Sequence, residues 1–229
     1  MRWVVYLSPS GGDHRVGIVD DGCVHGYPGA EQLAQLLDAP EADVYTAHEH
    51  ALNDPTEIIV EFEARLCAPI QPPEPVAVRR ESGPEERLDP RLLVGTDDGA
   101  PLPANTQGLW VESGLTCVPW GREGGVGYAP ACLWRHDEGH TLAVTTGPAL
   151  VLHGGADAVK PQLRLTVTGE TIGDQREGVT VALESPPMPG SGLAEPVIWL
   201  RDTGIRLDPG MELHIDGGIL GEFEIRPGE

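Results

Sequence analysis

Residues 91–121 read RLLVGTDDGAPLPANTQGLWVESGLTCVPWG. The runs LLVG and GLWVESGLTCV are apolar and rich in β-branched or aromatic residues, and Gly, Pro and Asp cut them off, which is the pattern of strands separated by tight turns. The same texture continues in HTLAVTTGPALVLH (140–153), QLRLTVTG (162–169), GVTVALE (178–184), EPVIWL (195–200), MELHIDG (211–217) and GEFEI (221–225). Almost nothing in this half has helical periodicity. Short strands at this spacing predict a β-dominated sandwich, roll or barrel. The Gly-rich stretch GREGGVG (121–127) lacks a strand–loop–helix context and reads as turns, not as a phosphate loop.

Upstream the texture changes. RWVVYL (2–7) and RVGIVD (15–20) read as strands, and Asp21-Gly22 reads as a hairpin turn into CVHGY. AEQLAQLLD (30–38) places Leu33, Leu36 and Leu37 on one helical face. Asp54-Pro55-Thr56-Glu57 carries an N-cap, Pro at the first helical position and Glu three residues after the cap. It predicts a second helix to about Arg65, with Ile58, Ile59, Phe62 and Leu66 as its stripe. The Pro-rich LCAPIQPPEP (66–75) reads as a linker. The expected organisation is α+β and β-dominated: an N-terminal module of hairpin and two helices over 1–70, and a mixed β-sandwich roll over 71–229.

Composition limits the partners. The 229 residues include 15 Lys+Arg and 36 Asp+Glu, a net charge of −21. Such a charge argues against nucleic acid and anionic membranes, both of which need a positive face. No apolar run reaches the ~18–20 residues of a membrane span, and MRWVVYLSPSGG has no charged n-region followed by a long apolar core. The four cysteines show no zinc spacing, so a reduced, cytoplasmic setting is expected. The acidity itself has three readings: a high-salt host, an Arg-favouring genome with an ordinary acidic enzyme, or a cationic partner.

In order along the chain, a strand-rich opening with a DDG hairpin, two helices and L-x-A-P-I-x-P-P-x-P-V resemble the start of the fumarylacetoacetate hydrolase family. Residues 91–121 are similar to its segment with an apolar-Val-Gly turn, a PLP step and an acidic E-x-E strand. GPALVLHGGADAVKPQLRLTVTGETIGDQREG (147–178) and LDPGMELHIDGGILGEFEI (207–225) are similar to its later strand, hairpin and closing elements. The resemblance implies a homodimer that binds Mg²⁺ or Mn²⁺ and acts on small oxo- or enol-carboxylic acids as a C–C hydrolase, decarboxylase or isomerase. A cation held by three carboxylates would stabilise the enolate, and a His–Glu pair would activate water.

The chain departs from that pattern. Glu112 matches the first carboxylate of E-x-E, but Gly114 replaces the second. The loop after the first core strand reads RRESGPEERLDP (79–90), without the family's His. The expected metal residues are Glu112 with Asp137 or Glu138 as replacement ligands. The expected substrate-binding residues are the adjacent Arg79 and Arg80, suited to a carboxylate, and His153 at the end of a strand that lines the family's pocket.

Other polar groups have plainer readings. HDEGH (136–140) is a solvated turn or a metal or substrate site; as a strand it would hold its two His roughly 13 Å apart. His48-Glu49-His50 reads as a surface loop, His214 as outward-facing, and Trp110, Trp120 and Trp134 as core or dimer-face residues. No G-x-S-x-G elbow exists. A homologue without catalysis that pairs with an active paralogue, and a metal-free lyase or cyclase, stand as alternatives.

Overall fold

The computed structural model describes residues 1–80, 83–98, 109–136, 139–153, 162–169, 179–182, 186–187, 190, 192–208 and 210–226. Strand β1 (Arg2–Leu7) turns back into β2 (His14–Asp20), and β3 (Cys23–Gly26) follows through Asp21 and Gly22. Both turn residues have positive φ, 46° and 72°, the pair that a two-residue turn matched to strand twist demands.

Helices α1 (Leu33–Leu37) and α2 (Glu41–Asn53) cover this hairpin. Their buried Leu33, Leu36, Leu37, Val44, Ala47 and Ala51 pack with Trp3, Ile18, Val118 and Trp120. His48 and His50 lie within α2 and not in a loop, and His48 meets the Trp3 ring edge-on at 6.3 Å. Burial pulls the His48 imidazole below its ordinary pKa.

The helix expected from Pro55 to Arg65 does not form. Asp54 caps the end of α2, its N–H donating to the His50 carbonyl at 3.0 Å. The chain then becomes β4 (Ile58–Val60), antiparallel to β3. Ile-Ile-Val is β-branched, so pairing with an open sheet edge wins over a local capping signal. Glu57, read as a capping residue, instead accepts from Tyr6 Oη, Ser8 Oγ, Ser10 Oγ and Arg15 Nη1 at 2.9–3.2 Å.

Within the expected linker, β5 (Arg65–Cys67) pairs with β1. Next come the hairpin of β6 (Val76–Arg80) and β7 (Glu86–Leu88), then β8 (Leu93–Val94). The long strands β9 (Leu109–Trp120) and β10 (Gly125–Arg135) pair from Trp120–Gly125 to Trp110–Arg135. They are followed by β11 (Thr141–Thr146), β12 (Leu150–His153), β13 (Gln162–Gly169), β14 (Val179–Ala182), β15 (Val197–Leu207), β16 (Met211–Asp216) and β17 (Glu222–Ile225).

One mixed sheet runs β4-β3-β2-β1-β12-β10-β9-β15-β6-β7, with β5 on β1, β11 on β10 and β8 on β11. The β1–β12 pairing carries it from the N-terminal hairpin into the later strands. A second sheet, β14-β13-β16-β17, closes over one face. Leu109, Val111, Leu115 and Cys117 of β9 pack there against Leu163, Leu165, Leu213 and Ile215. The opposite face of the large sheet buries Val76, Val78, Leu88, Leu133, Ile198 and Leu200. The architecture is thus the β-dominated α+β sandwich roll expected from the strand pattern. Among the described residues no helix is long and apolar enough to cross a membrane.

Strand β10 was not expected. Its GVGYAPACLWR holds Pro130, which cannot donate to a ladder. Pro130 sits where β10 changes partner: residues 126–128 pair with β12 and 131–135 with β11. Its carbonyl still accepts from the Gly147 N–H at 3.1 Å.

Because Gly22 has positive φ with open space around its Cα, Gly22→Ala will cost about 1 kcal/mol through backbone strain alone. Urea denaturation measures this as a lower midpoint with an unchanged m-value.

Candidate functional site

The side chains of a strand alternate between its two faces. The face that buries Val76 and Val78 on β6 continues to Arg80. The face that buries Leu88 on β7 continues backwards to Glu86, and that of Ala131 and Leu133 on β10 continues to Arg135. On β9, Glu112 stands opposite Leu133, next to this face. Four charged groups therefore meet at the rim of one apolar cluster.

Their contacts form a closed ring. Arg80 Nε donates to Glu112 Oε2 at 2.6 Å, and Arg135 Nε donates to Glu112 Oε1 at 2.8 Å. Arg80 Nη2 and Arg135 Nη2 both donate to Glu86 Oε2, at 3.1 and 2.8 Å. Arg135 Nη1 reaches the Gly139 carbonyl at 3.0 Å. Arg80, Glu112 and Arg135 retain 19, 13 and 21% side-chain exposure, and Glu86 36%. Two cations and two carboxylates leave the ring formally neutral.

Burial would lower the Arg80 guanidinium and raise the Glu86 carboxyl. The hydrogen bonds outweigh it in both cases. Arg80, held by Glu112 and then Glu86, ends above its ordinary value. Glu86, held by Arg135 and then Arg80, ends below.

The expected site residues are only partly brought together. Arg80 and Glu112 meet directly. Arg79 does not join them: strand alternation turns it to the other face, exposed, where its Nε donates to Glu85 at 2.7 Å. His153 ends β12 opposite Val126, and its side chain lies outside the described residues, as do Asp137 and Glu138. On either side of Asp137 and Glu138, His136 N–H donates to His140 O at 3.0 Å and Gly139 N–H to His136 O at 2.8 Å. Glu86 and Arg135 were missed. A signal was present for Arg135, which extends the period-two run of Ala131 and Leu133 by one step, and not for Glu86, whose short strand has one apolar residue.

A divalent cation does not fit these residues. Hard cations need several free oxygen ligands, but both Glu112 oxygens are taken by guanidiniums. An ion could take a Glu112 oxygen only by displacing a guanidinium from a charge-assisted hydrogen bond. Nor can a carboxylate be restored at position 114. A Cβ on Gly114 would meet the Trp199 carbonyl oxygen of β15 at 1.9 Å and its carbon at 2.9 Å. Among the described residues no group of three His, Cys, Asp or Glu could hold a metal.

No family model matches the chain, and no curated protein matches it. Solved structures do. The chain is similar to maleylpyruvate hydrolase from Sphingobium sp. SYK-6 in complex with manganese(II) and pyruvate, at 15% identity over 99% of this chain and 98% of that one, with a TM-score of 0.65. It is similar to 2-keto-3-deoxy-D-arabinonate dehydratase complexed with magnesium and 2,5-dioxopentanoate, at 13% identity, the same coverage and a TM-score of 0.68. A third is 2-hydroxyhepta-2,4-diene-1,7-dioate isomerase from Mycobacterium marinum, at 16% identity over the whole of both chains, with a TM-score of 0.57. The fold is therefore that of fumarylacetoacetate hydrolase, as the sequence resemblance implied.

Removing the Glu112 charge leaves two partly buried guanidiniums with Glu86 as the one carboxylate of the ring. Glu112→Gln will lower stability by about 2–3 kcal/mol. The depressed Glu86 carboxyl contributes stability that is fully present above the ordinary carboxylate pKa of about 4.3 and is lost as pH falls through its lowered value. Urea midpoints between pH 2.5 and 7 will show this acid-side loss in the wild type. The slope will be shallower in Glu86→Gln.

Proposed function

We propose that this chain recognises a small oxo- or enol-carboxylic acid at the Arg80–Arg135 end of the ring. Any turnover belongs to the C–C hydrolase, decarboxylase or isomerase class, in a cytoplasmic protein. One observation carries this reading: the two guanidiniums are fixed side by side at a partly exposed rim, and Arg80 Nη1 makes no bond to the described residues. A guanidinium held by its other edges offers a carboxylate a preoriented donor at little further entropic cost. Three similar structures of oxo-acid enzymes support the substrate class. Burial beside Val78, Leu133 and Leu200 strengthens an attraction that bulk water would screen. The chain's own residues bind and orient the carboxylate. They offer no His of the water-activating pair, since residues 79–90 contain none.

Calorimetric titration with pyruvate and with 2,5-dioxopentanoate tests the reading. Binding at millimolar affinity or tighter is expected, weakened at least tenfold in Arg80→Gln and in Arg135→Gln. Silence with both acids at tens of millimolar would reject it.

A second reading, a non-catalytic partner subunit in a homodimer or with an active paralogue, draws on the outer edge of the large sheet. There β4 is unpaired on one side among the described residues, and Ile58 and Phe62 are 60 and 85% exposed. Open apolar edges are templates for a further strand. Light scattering should give twice the chain mass for the wild type and a monomer for Phe62→Asp. A wild-type monomer would remove the homodimer.

A further inference from the structure

We infer that Arg80 and Arg135 together occupy the place and supply the charge of a divalent cation, so that this site is built to work without one. The inference rests on the preceding reading only for the identity of the ligand. Its structural half stands on the ring alone.

Two guanidiniums carry the same formal +2 as one Mg²⁺ or Mn²⁺. They deliver it at two points, 2.6 and 2.8 Å from the two oxygens of Glu112. Each is anchored a second time through Glu86, and Arg135 a third time through the Gly139 carbonyl. The positive centre is thus fixed by covalent attachment to β6 and β10 and not by ligand count. The change is distributed over the sheet. Position 114 is closed to any side chain by the β15 main chain, and the Gly139 carbonyl is tied to Arg135. Reverting one residue would therefore not rebuild a cation site: a carboxylate at 114 would have to push β15 away, and either guanidinium left in place keeps one Glu112 oxygen engaged.

The two kinds of centre also differ in what they select. A metal ion binds vicinal oxygens by chelation and accepts any pair within its coordination sphere. A guanidinium fork is planar and prefers a carboxylate seen edge-on. The site will bind a monocarboxylate such as pyruvate through its carboxylate alone, with no added gain from the neighbouring keto oxygen. Propionate, which lacks that oxygen, will bind within about threefold of pyruvate.

The full-length protein, freed of metal by EDTA and dialysis, decides this. Mn²⁺ is titrated and free Mn²⁺ is read by electron paramagnetic resonance. Pyruvate and propionate titrations are repeated with 1 mM EDTA and with 1 mM Mn²⁺. The inference expects no stoichiometric Mn²⁺ binding below millimolar concentration and the same pyruvate affinity in EDTA and in Mn²⁺. A 1:1 Mn²⁺ site lost in Glu112→Gln would overturn it. So would pyruvate binding that needs Mn²⁺ or exceeds propionate binding tenfold. If neither acid binds, the proposed ligand class fails while the Mn²⁺ titration still decides the inference. Glu112→Gln keeps the side chain's size, and its circular dichroism at 20 °C separates loss of a site from loss of fold.

Discussion

Strand β9 is hydrogen-bonded on both sides, to β10 along its full length and to β15 along most of it. It cannot shift by one residue without exchanging its faces. Its odd positions, from Leu109 to Cys117, enter the core beneath the second sheet. Its even positions run from solvent at Trp110, past Glu112 and Gly114, to the buried Val118 and Trp120 beneath the helices. Glu112 is therefore the point on this face where water ends. A carboxylate at that point loses much of its hydration and requires compensating positive charge.

That requirement has two structural answers. A metal ion is spherical and needs several converging ligands. An arginine is planar, brings its charge on its own strand and needs the strand to point correctly. The latter condition is met here by arithmetic: Arg80 is two residues past Val78, Arg135 two past Leu133, and Glu86 two before Leu88. Once two arginines stand beside Glu112, a second carboxylate serves to neutralise the surplus, and Glu86 takes that part. Strand β15 lies between β9 and the parallel β6, so Arg80 reaches across β15 to Glu112. The similar enzymes that hold manganese or magnesium share the strand framework at 13–15% identity. A fold defined by alternation and register can keep its shape while the charge at one rim is rebuilt.

The strands were legible wherever apolar runs ended in Gly or Pro, because those residues stop pairing. Two failures show most plainly how pairing overrode local chemistry. In β10, Gly125, Gly127 and Pro130 look like turn residues. Yet a Cβ at Gly127 would lie 2.5 Å from Leu152, and one at Gly125 would lie 2.6 Å from Trp120 Nε1. These glycines sit in close packing inside the strand, and the proline falls between two partner strands. At 54–65 a sound capping box lost to an open sheet edge. The site was half legible for a related reason. Glu112 and Arg80 were visible from resemblance and position. Their mutual contact, and the contacts with Arg135 and Glu86, span up to 49 residues of sequence, a relation that only register fixes.

The charge of −21 takes a different meaning beside this ring. With 36 acidic residues, a carboxylate near any point of the surface is common, whereas only 15 basic residues are available. Several arginines make exposed pairs, such as Arg79–Glu85 and Arg91–Asp89, which salt screens and which contribute little. Arg80 and Arg135 are held instead in a shared, largely desolvated cluster where screening is weak. The excess of carboxylates elsewhere makes the potential over most of the surface repulsive to an incoming anion. The formally neutral ring at this rim is a local exception to that potential. The acidity and the arginine pair therefore differ in kind: the first is spread over a surface where salt screens it, and the second is fixed by hydrogen bonds at one rim.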